Sequence, residues 1–235
     1  MAARFHGWPE QAYALLLELG GEPSRETRDR VRRDREGHVR QPMIDLLSDL
    51  ADADPWYEDF SVWSYASTAY WWQNQCAVVR LARHIEIGFR FSLDGLRIGA
   101  AWHYAGPEQI ALFRAAAAAD HSGRALADLV ASLAADGHEI LGDVMKRVPR
   151  GYPAGHPRAG LLKHRSLIAA RGLEPDAVRD VGPVYRACER LRPLLEWLTG
   201  HAAVTSPGPG PAASARPLWA DVSYARLPAC RSGRC

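Results

Sequence analysis

The 235 residues carry 47% hydrophobic and 24% charged side chains and a formal net charge of +2. That is an ordinary globular composition, long enough to bury a real core. The near-neutral balance excludes a strong whole-molecule field steering the chain to nucleic acid or an anionic membrane. No apolar run approaches the roughly 18 residues that span a bilayer. The opening Met1-Ala2-Ala3-Arg4-Phe5-His6-Gly7-Trp8-Pro9 has no apolar h-region, so no signal peptide is read and a cytoplasmic protein is expected. Cys76, Cys188, Cys230 and Cys235 lack CxxC spacing and a companion histidine pair. They read as reduced thiols, with no metal and no cofactor expected.

In chain order, Pro9 to Leu19 reads as a first helix stopped by Gly20-Gly21. Ser24 caps a long second helix running to about Leu50, with Val39, Met43, Leu47 and Leu50 forming one apolar stripe. Its first half, Arg25 to Glu36, mixes both charge signs and reads as a solvated face laced with i,i+4 pairs. Ile85 to Leu93 then alternates, with Ile85, Ile87, Phe89, Phe91 and Leu93 on one side. Asp94-Gly95 suits the two positive-φ positions of a type I′ turn. That turn sets Leu93 against Leu96, Phe91 against Ile98 and Glu86 against His103. Further helices follow from Gly106-Pro107, after His121-Ser122-Gly123 as far as Gly137, and over Pro183 to Leu198. The sum predicts a single α+β domain over residues 1–202, its small antiparallel sheet built around the hairpin at about 85–103 and packed by helices. The Pro-, Gly- and Ala-rich residues 203–235 read as a disordered tail.

Three groups of residues can carry chemistry. On the hairpin's polar face Glu86 and His103 face each other, with Arg90 nearby; a carboxylate holds an imidazole's tautomer and makes it a general base. The segment Lys146 to His164 concentrates Lys146, Arg147, Arg150, His156, Lys163 and His164 on a backbone stiffened by Pro149, Pro153 and Pro157. Such a loop can grip phosphate or carboxylate through arginine forks, or simply be a surface connection anchored by Tyr152. Trp71 and Trp72, followed by Gln73, Asn74 and Gln75, can stack on a planar ligand or pack in the core. No phosphate-binding glycine loop, GxSxG or HExxH occurs.

Lys146-Arg147-Val148-Pro149-Arg150-Gly151-Tyr152-Pro153-Ala154-Gly155-His156-Pro157, followed by Leu161-Leu162-Lys163-His164, resembles the signature of the bacterial and fungal family called domain of unknown function 2461. Phe5-His6-Gly7-Trp8-Pro9, Val39-Arg40-Gln41-Pro42-Met43, Asp94-Gly95-Leu96 with Gly99, and Leu191-Arg192-Pro193-Leu194 resemble other parts of it in order, over roughly residues 5 to 200. The resemblance implies a fold neighbourhood and no reaction. It also implies a departure: members carry a long basic block before the hairpin, where this chain has the uncharged Ser64 to Gln75.

Two functions follow from these residues. One is a divergent, non-catalytic binding or accessory protein with a neutral aromatic pocket containing Trp71 and Trp72. The other is a small-molecule enzyme with His103 as base, Glu86 as its orienting partner, and Arg147 or Arg150 as anion clamp. The expected partner is an unknown small molecule or protein, with no nucleic acid and no membrane.

Overall fold

The computed structural model describes residues 4–63 and 72–204. Helix α1 (Glu10–Glu18) is followed by α2 (Arg25–Arg35), whose Ser24 cap accepts the Thr27 N–H at 3.0 Å. The predicted long helix continues through a π-helical turn, Glu36–Arg40, into α3 (Gln41–Ala53). Val39, Met43, Leu47 and Leu50 are all fully buried along it, as their spacing requires. A 3-10 turn, Pro55–Tyr57, leads to the sheet.

Six antiparallel strands stand in the order β1-β2-β3-β4-β6-β5. They are β1 (Phe60–Val62), β2 (Gln75–Ala82), β3 (Ile85–Ser92), β4 (Gly95–Trp102), β5 (Glu139–Leu141) and β6 (Leu167–Leu173). Between β4 and β5 lie α4 (Pro107–Ala118) and α5 (Asp120–Ala135); α6 (Ala159–Leu162) precedes β6, and α7 (Val181–Ala202) is the last described helix. The fold is therefore α+β, with a hairpin-built sheet at its centre. The main core lies between one sheet face and the helices. Ile85, Ile87, Phe89, Phe91, Leu96, Ile98 and Trp102 meet Met43, Leu47, Phe113, Cys188, Leu191 and Leu195 there. Trp8 stacks flat on Phe91 at 4.0 Å and donates its indole N–H to the Val39 carbonyl at 3.0 Å, locking the chain's start onto sheet and π turn together.

The β3–β4 hairpin forms where its alternation predicts, but one residue earlier. Ser92 pairs with Gly95, so Phe91 faces Leu96 instead of Ile98, and Glu86 faces Ala101 instead of His103. Leu93, expected on the apolar face, sits in the turn and is 43% exposed. Only Gly95 takes a positive φ, at +96°, which is the pattern of a type I turn closed by a left-handed glycine and not of a type I′ turn. The cause is tertiary: a Cβ at Gly95 would collide with the Leu173 carbonyl at the end of β6. Because the turn moves by one, each partner moves by two and every side chain keeps its face.

Three other expectations change or lie beyond the description. The mixed-charge run of α2 is not solvated throughout: Arg35 is 2% exposed, and Arg28 lies over the Trp72 ring at 4.2 Å. Gln75, taken as part of an uncharged connecting segment, opens β2. Residues 64–71, and the predicted tail from residue 205 onward, lie outside the described residues.

Candidate functional site

The sheet's second face is the place where sequence-predicted residues converge. Across β2, β3 and β4 its rows read Cys76, Arg90, Arg97; then Val78, Gly88, Gly99; then Arg80, Glu86, Ala101. Cys76, Val78 and Ala101 join Ile168 and Ala170 of β6 in a small hydrophobic cluster separate from the main core, and among the described residues no helical one belongs to it.

His103 stands at the end of this face. It follows the last residue of β4, and its N–H donates to the His84 carbonyl at 3.1 Å. Although their backbones are not opposed, its Nε2 lies 2.9 Å from Glu86 Oε1. Both side chains are sheltered, at 6% and 15% exposure. Nδ1 is buried and has no hydrogen-bond partner among the described residues. This assigns the tautomer. A proton on Nε2 gives Glu86 its donor and leaves Nδ1 as a bare acceptor; the reverse aims a lone pair at a carboxylate and strands a buried N–H. Orphaned donors are the costlier defect, so Nε2–H is the stable form.

The surrounding backbone is unusual. Among the described residues the non-glycine positions with left-handed conformation are His84, at φ +65°, and Tyr104, at φ +52°. They are the partner across the strand end and the next residue along, and the Tyr104 ring lies 4.7 Å from that of His103. Sparsely populated conformations of this kind persist where packing imposes them, and they gather at binding and catalytic sites. Burial holds the His84 pKa below its usual value, with Arg83 and His103 acting in the same direction against the opposing pull of Glu86.

Arg90 lies on the same face, four residues along β3 from Glu86, and is 8% exposed. Arg97 is directly opposite it and binds Glu139 at 2.7 Å. Alternation along β4 could have revealed Arg97 as the neighbour of Arg90, but the shifted register hid the pairing. Strands β2 and β6 were not read as strands, so the partners they supply were missed as well.

The basic proline segment is fastened elsewhere. Its buried member is Arg158, which donates to the Ala117 carbonyl at 2.8 Å and the Ala118 carbonyl at 2.6 Å, tying the segment to the α4–α5 corner. Tyr152 packs against the main core. His164 Nδ1 donates to the Ser166 carbonyl at 2.8 Å, and His156 Nδ1 accepts the Arg158 N–H at 3.1 Å. Lys146, Arg147 and Arg150 are exposed. The Val144–His164 bridge carries this segment past the same end of the sheet as His103, and among the described residues no hydrogen bond or ion pair joins it to Glu86 or His103. Trp72 is buried against Leu19 and Val31, and Trp71 lies outside the described residues. Among the described residues no three His, Cys, Asp or Glu side chains gather as metal ligands.

Fold and site together define an α+β protein with an antiparallel sheet, helices on one face and a polar pair at the end of the other. The chain belongs to the family described as "Conserved hypothetical protein (DUF2461)", whose model matches residues 66–197. No curated protein and no solved structure matches it. No described helix is long and apolar enough to cross a membrane. The segments that resemble the family's signature make structural ties here. Trp8 acts as described above, as does Arg158 directly after Pro157. Arg40 donates to the Trp63 and Val62 carbonyls at 3.1 and 3.2 Å, while Arg192 pairs with Asp54 and Glu189.

Proposed function

We propose that the protein binds a small molecule on the second face of its sheet, with the Glu86–His103 pair as the principal polar contact, and acts as a cytoplasmic accessory protein. The observation that carries this is the buried His103 Nδ1, an acceptor held in a fixed tautomer with no hydrogen-bond partner among the described residues. Gly88, Gly99, Ala101 and Val78 give a neutral floor beside it. With Trp72 packed under Arg28, that floor takes the place of the aromatic pocket expected around Trp71 and Trp72.

One feature favours a second reading, an acid–base enzyme. An imidazole whose Nε2–H is held by a carboxylate is arranged to take a proton at Nδ1 and keep the resulting cation stabilised by Glu86. Arg90 would then orient the substrate.

A thermal-shift panel of planar aromatics, small carboxylates and phosphates tests both, followed by long-range proton–nitrogen spectra of the histidine rings. True ligands shift the His103 ring signals, and their effect is lost in His103→Gln. Hits that leave the ring unmoved and persist in that variant contradict the site. A compound recovered unchanged supports binding alone; one converted by the protein and only bound by Glu86→Gln supports the enzyme.

A further inference from the structure

The basic proline segment concentrates charge that the rest of the chain does not share. From Val144 to Leu173 the sequence holds seven Lys or Arg and no Asp or Glu, so with a formal +2 for the whole chain all its other residues together are net −5. We propose that the solvent-facing side of this segment is a docking surface for an acidic peptide segment of a partner protein, held by Lys146, Arg147, Arg150 and Lys163. This goes beyond the small-molecule site and does not depend on it.

Many basic side chains elsewhere are answered by an acid within the fold: Arg4 by Asp52, Arg80 by Asp59, Arg97 by Glu139 and Arg190 by Asp136. Within the segment Arg158 and Arg165 are answered too, the first by two carbonyls and the second by Asp143 at 2.8 Å. The remaining four differ. Lys146, Arg147 and Arg150 are exposed and Lys163 is half-buried. Among the described residues none of these four side chains makes a hydrogen bond or an ion pair. Like charges gathered without acid repel one another, and carboxylates arriving from outside relieve that repulsion.

The backbone is already set for such a partner. The Met145 N–H donates to the Lys163 carbonyl at 2.9 Å, which brings the two limbs of the segment together and Lys146 close to Lys163. Arg150 stands at the corner of a turn: the Tyr152 N–H reaches the Pro149 carbonyl at 3.3 Å, and Gly151 has φ +92°. Pro149 is buried, Tyr152 packs on the core and Arg114 holds the Leu162 carbonyl at 3.1 Å. Binding therefore has little of the segment left to order. Val144, 48% exposed and two residues before Lys146, adds an apolar contact. The distribution of charge selects the partner. Exposed cations spread along a segment hold a single hydrated anion poorly, but they suit carboxylates spaced along a chain. A long polyanion or a membrane would reach past the segment onto a remainder of opposite net charge, whereas a short acidic peptide stays within the positive zone.

The experiment titrates the full chain with a short labelled oligoglutamate peptide carrying one leucine, read by fluorescence anisotropy. An oligothymidylate of equal charge, phosphatidylserine vesicles and inorganic phosphate are measured beside it. The peptide should bind most tightly and lose affinity as salt rises. Lys146→Glu/Arg150→Glu should weaken it at least tenfold with an unchanged Tm. Arg33→Glu/Arg186→Glu, the same change of charge at two exposed sites on α2 and α7, should leave Kd within twofold. Lys146 and Lys163 are the only lysines in the chain, so acetylation by an amine reagent reads the surface directly. Bound peptide should slow modification of both at least threefold relative to the α-amino group, a result that decides the matter even where the charge-reversed variant does not fold. An absence of peptide binding, unprotected lysines, affinity unchanged by Lys146→Glu/Arg150→Glu, or tighter binding of the oligothymidylate, vesicles or phosphate overturns the assignment. His103→Gln should bind the peptide as the unmodified chain does. A His103 ring that answers to no compound therefore removes the small-molecule site alone, while peptide affinity lost in His103→Gln overturns the docking surface.

Discussion

His103 reaches Glu86 even though the strand register opposes Glu86 to Ala101, because a shift of two residues preserves the face and an imidazole spans the diagonal. Residue type and alternation were therefore enough to suggest the pair, while the turn that sets its geometry was misread. Gly95 shows why. Its positive φ is compulsory, and the approach of Leu173 forbids any side chain. Gly95→Ala should cost about 1–3 kcal/mol in urea denaturation, more than at a surface glycine such as Gly155, where an added Cβ would meet nothing within 4 Å beyond its chain neighbours. A second expectation concerns protons. Burial is the leading cause that holds His84, His138 and His164 below their ordinary value of 6.5. The unfolded chain therefore takes up protons at these sites before the folded one does. The stability they contribute is present above about pH 6.5 and lost as pH falls through and below it. The urea midpoint should drop between pH 7.5 and 5.5, with a shallower slope in His164→Gln. A midpoint that rises on acidification contradicts this.

The helix α2–α3 continuity was legible from Ser24 and the apolar stripe, but its π turn was not. That turn matters for position. Residues five apart on an α-helix point about 140° away from each other, and a turn closed by i→i+5 bonds brings them back towards one line. Arg35, just before the turn, and Arg40, its last residue, are placed in this way. Arg35 donates to the Asn74 carbonyl at 2.6 Å and to Gln75 Oε1 at 3.1 Å, while Arg40 takes the Val62 and Trp63 carbonyls. One helix thus grips the end of β1 and the start of β2. Arg35→Met should destabilise by about 1–3 kcal/mol, since buried carbonyls lose their donor. A melting temperature equal to that of the unmodified protein would show that water replaces the guanidinium. The α4–α5 corner carries a comparable constraint. A Cβ on Gly123 would collide with the Ala117 carbonyl and with Arg158, so Gly123→Ala, normally favourable in a helix, should lower stability here. Strand β6 was missed because Leu-Ile-Ala-Ala-Arg-Gly-Leu has no alternation: Leu167, Ile168, Ala169 and Ala170 are buried on both faces of a central strand.

Long-range ties hold these elements in one unit. Tyr57 donates to Glu189 at 2.6 Å across 132 residues of sequence. Burial and that bond together hold the tyrosine pKa above its usual range. Arg192 pairs with Glu189 and Asp54 and lies over the Trp56 ring at 4.2 Å; burial works against its charge, but these hydrogen bonds outweigh it and raise its pKa. The group is only partly buried, so Arg192→Met should cost about 1–2 kcal/mol, below the figure for a fully buried pair. Tyr57→Phe should cost about 1 kcal/mol. Their double variant should cost less than the sum, because both act on Glu189. Chemical denaturation of the four proteins measures the coupling, and strict additivity would show that the two bonds are independent.

What the chain determined by itself was local: helix caps and stripes, the alternation of β3 and β4, and the identity of the pair Glu86 and His103. These follow from interactions between residues close in sequence, whose periodicity can be read without knowing the fold. Tertiary structure decided the turn at Gly95, the burial of Arg35, the pairing of Arg90 with Arg97 and the placing of β6 beside β4. Each of these depends on a partner 35 or more residues away or on a register set by one, and no local pattern records what a side chain will meet once the chain has closed on itself.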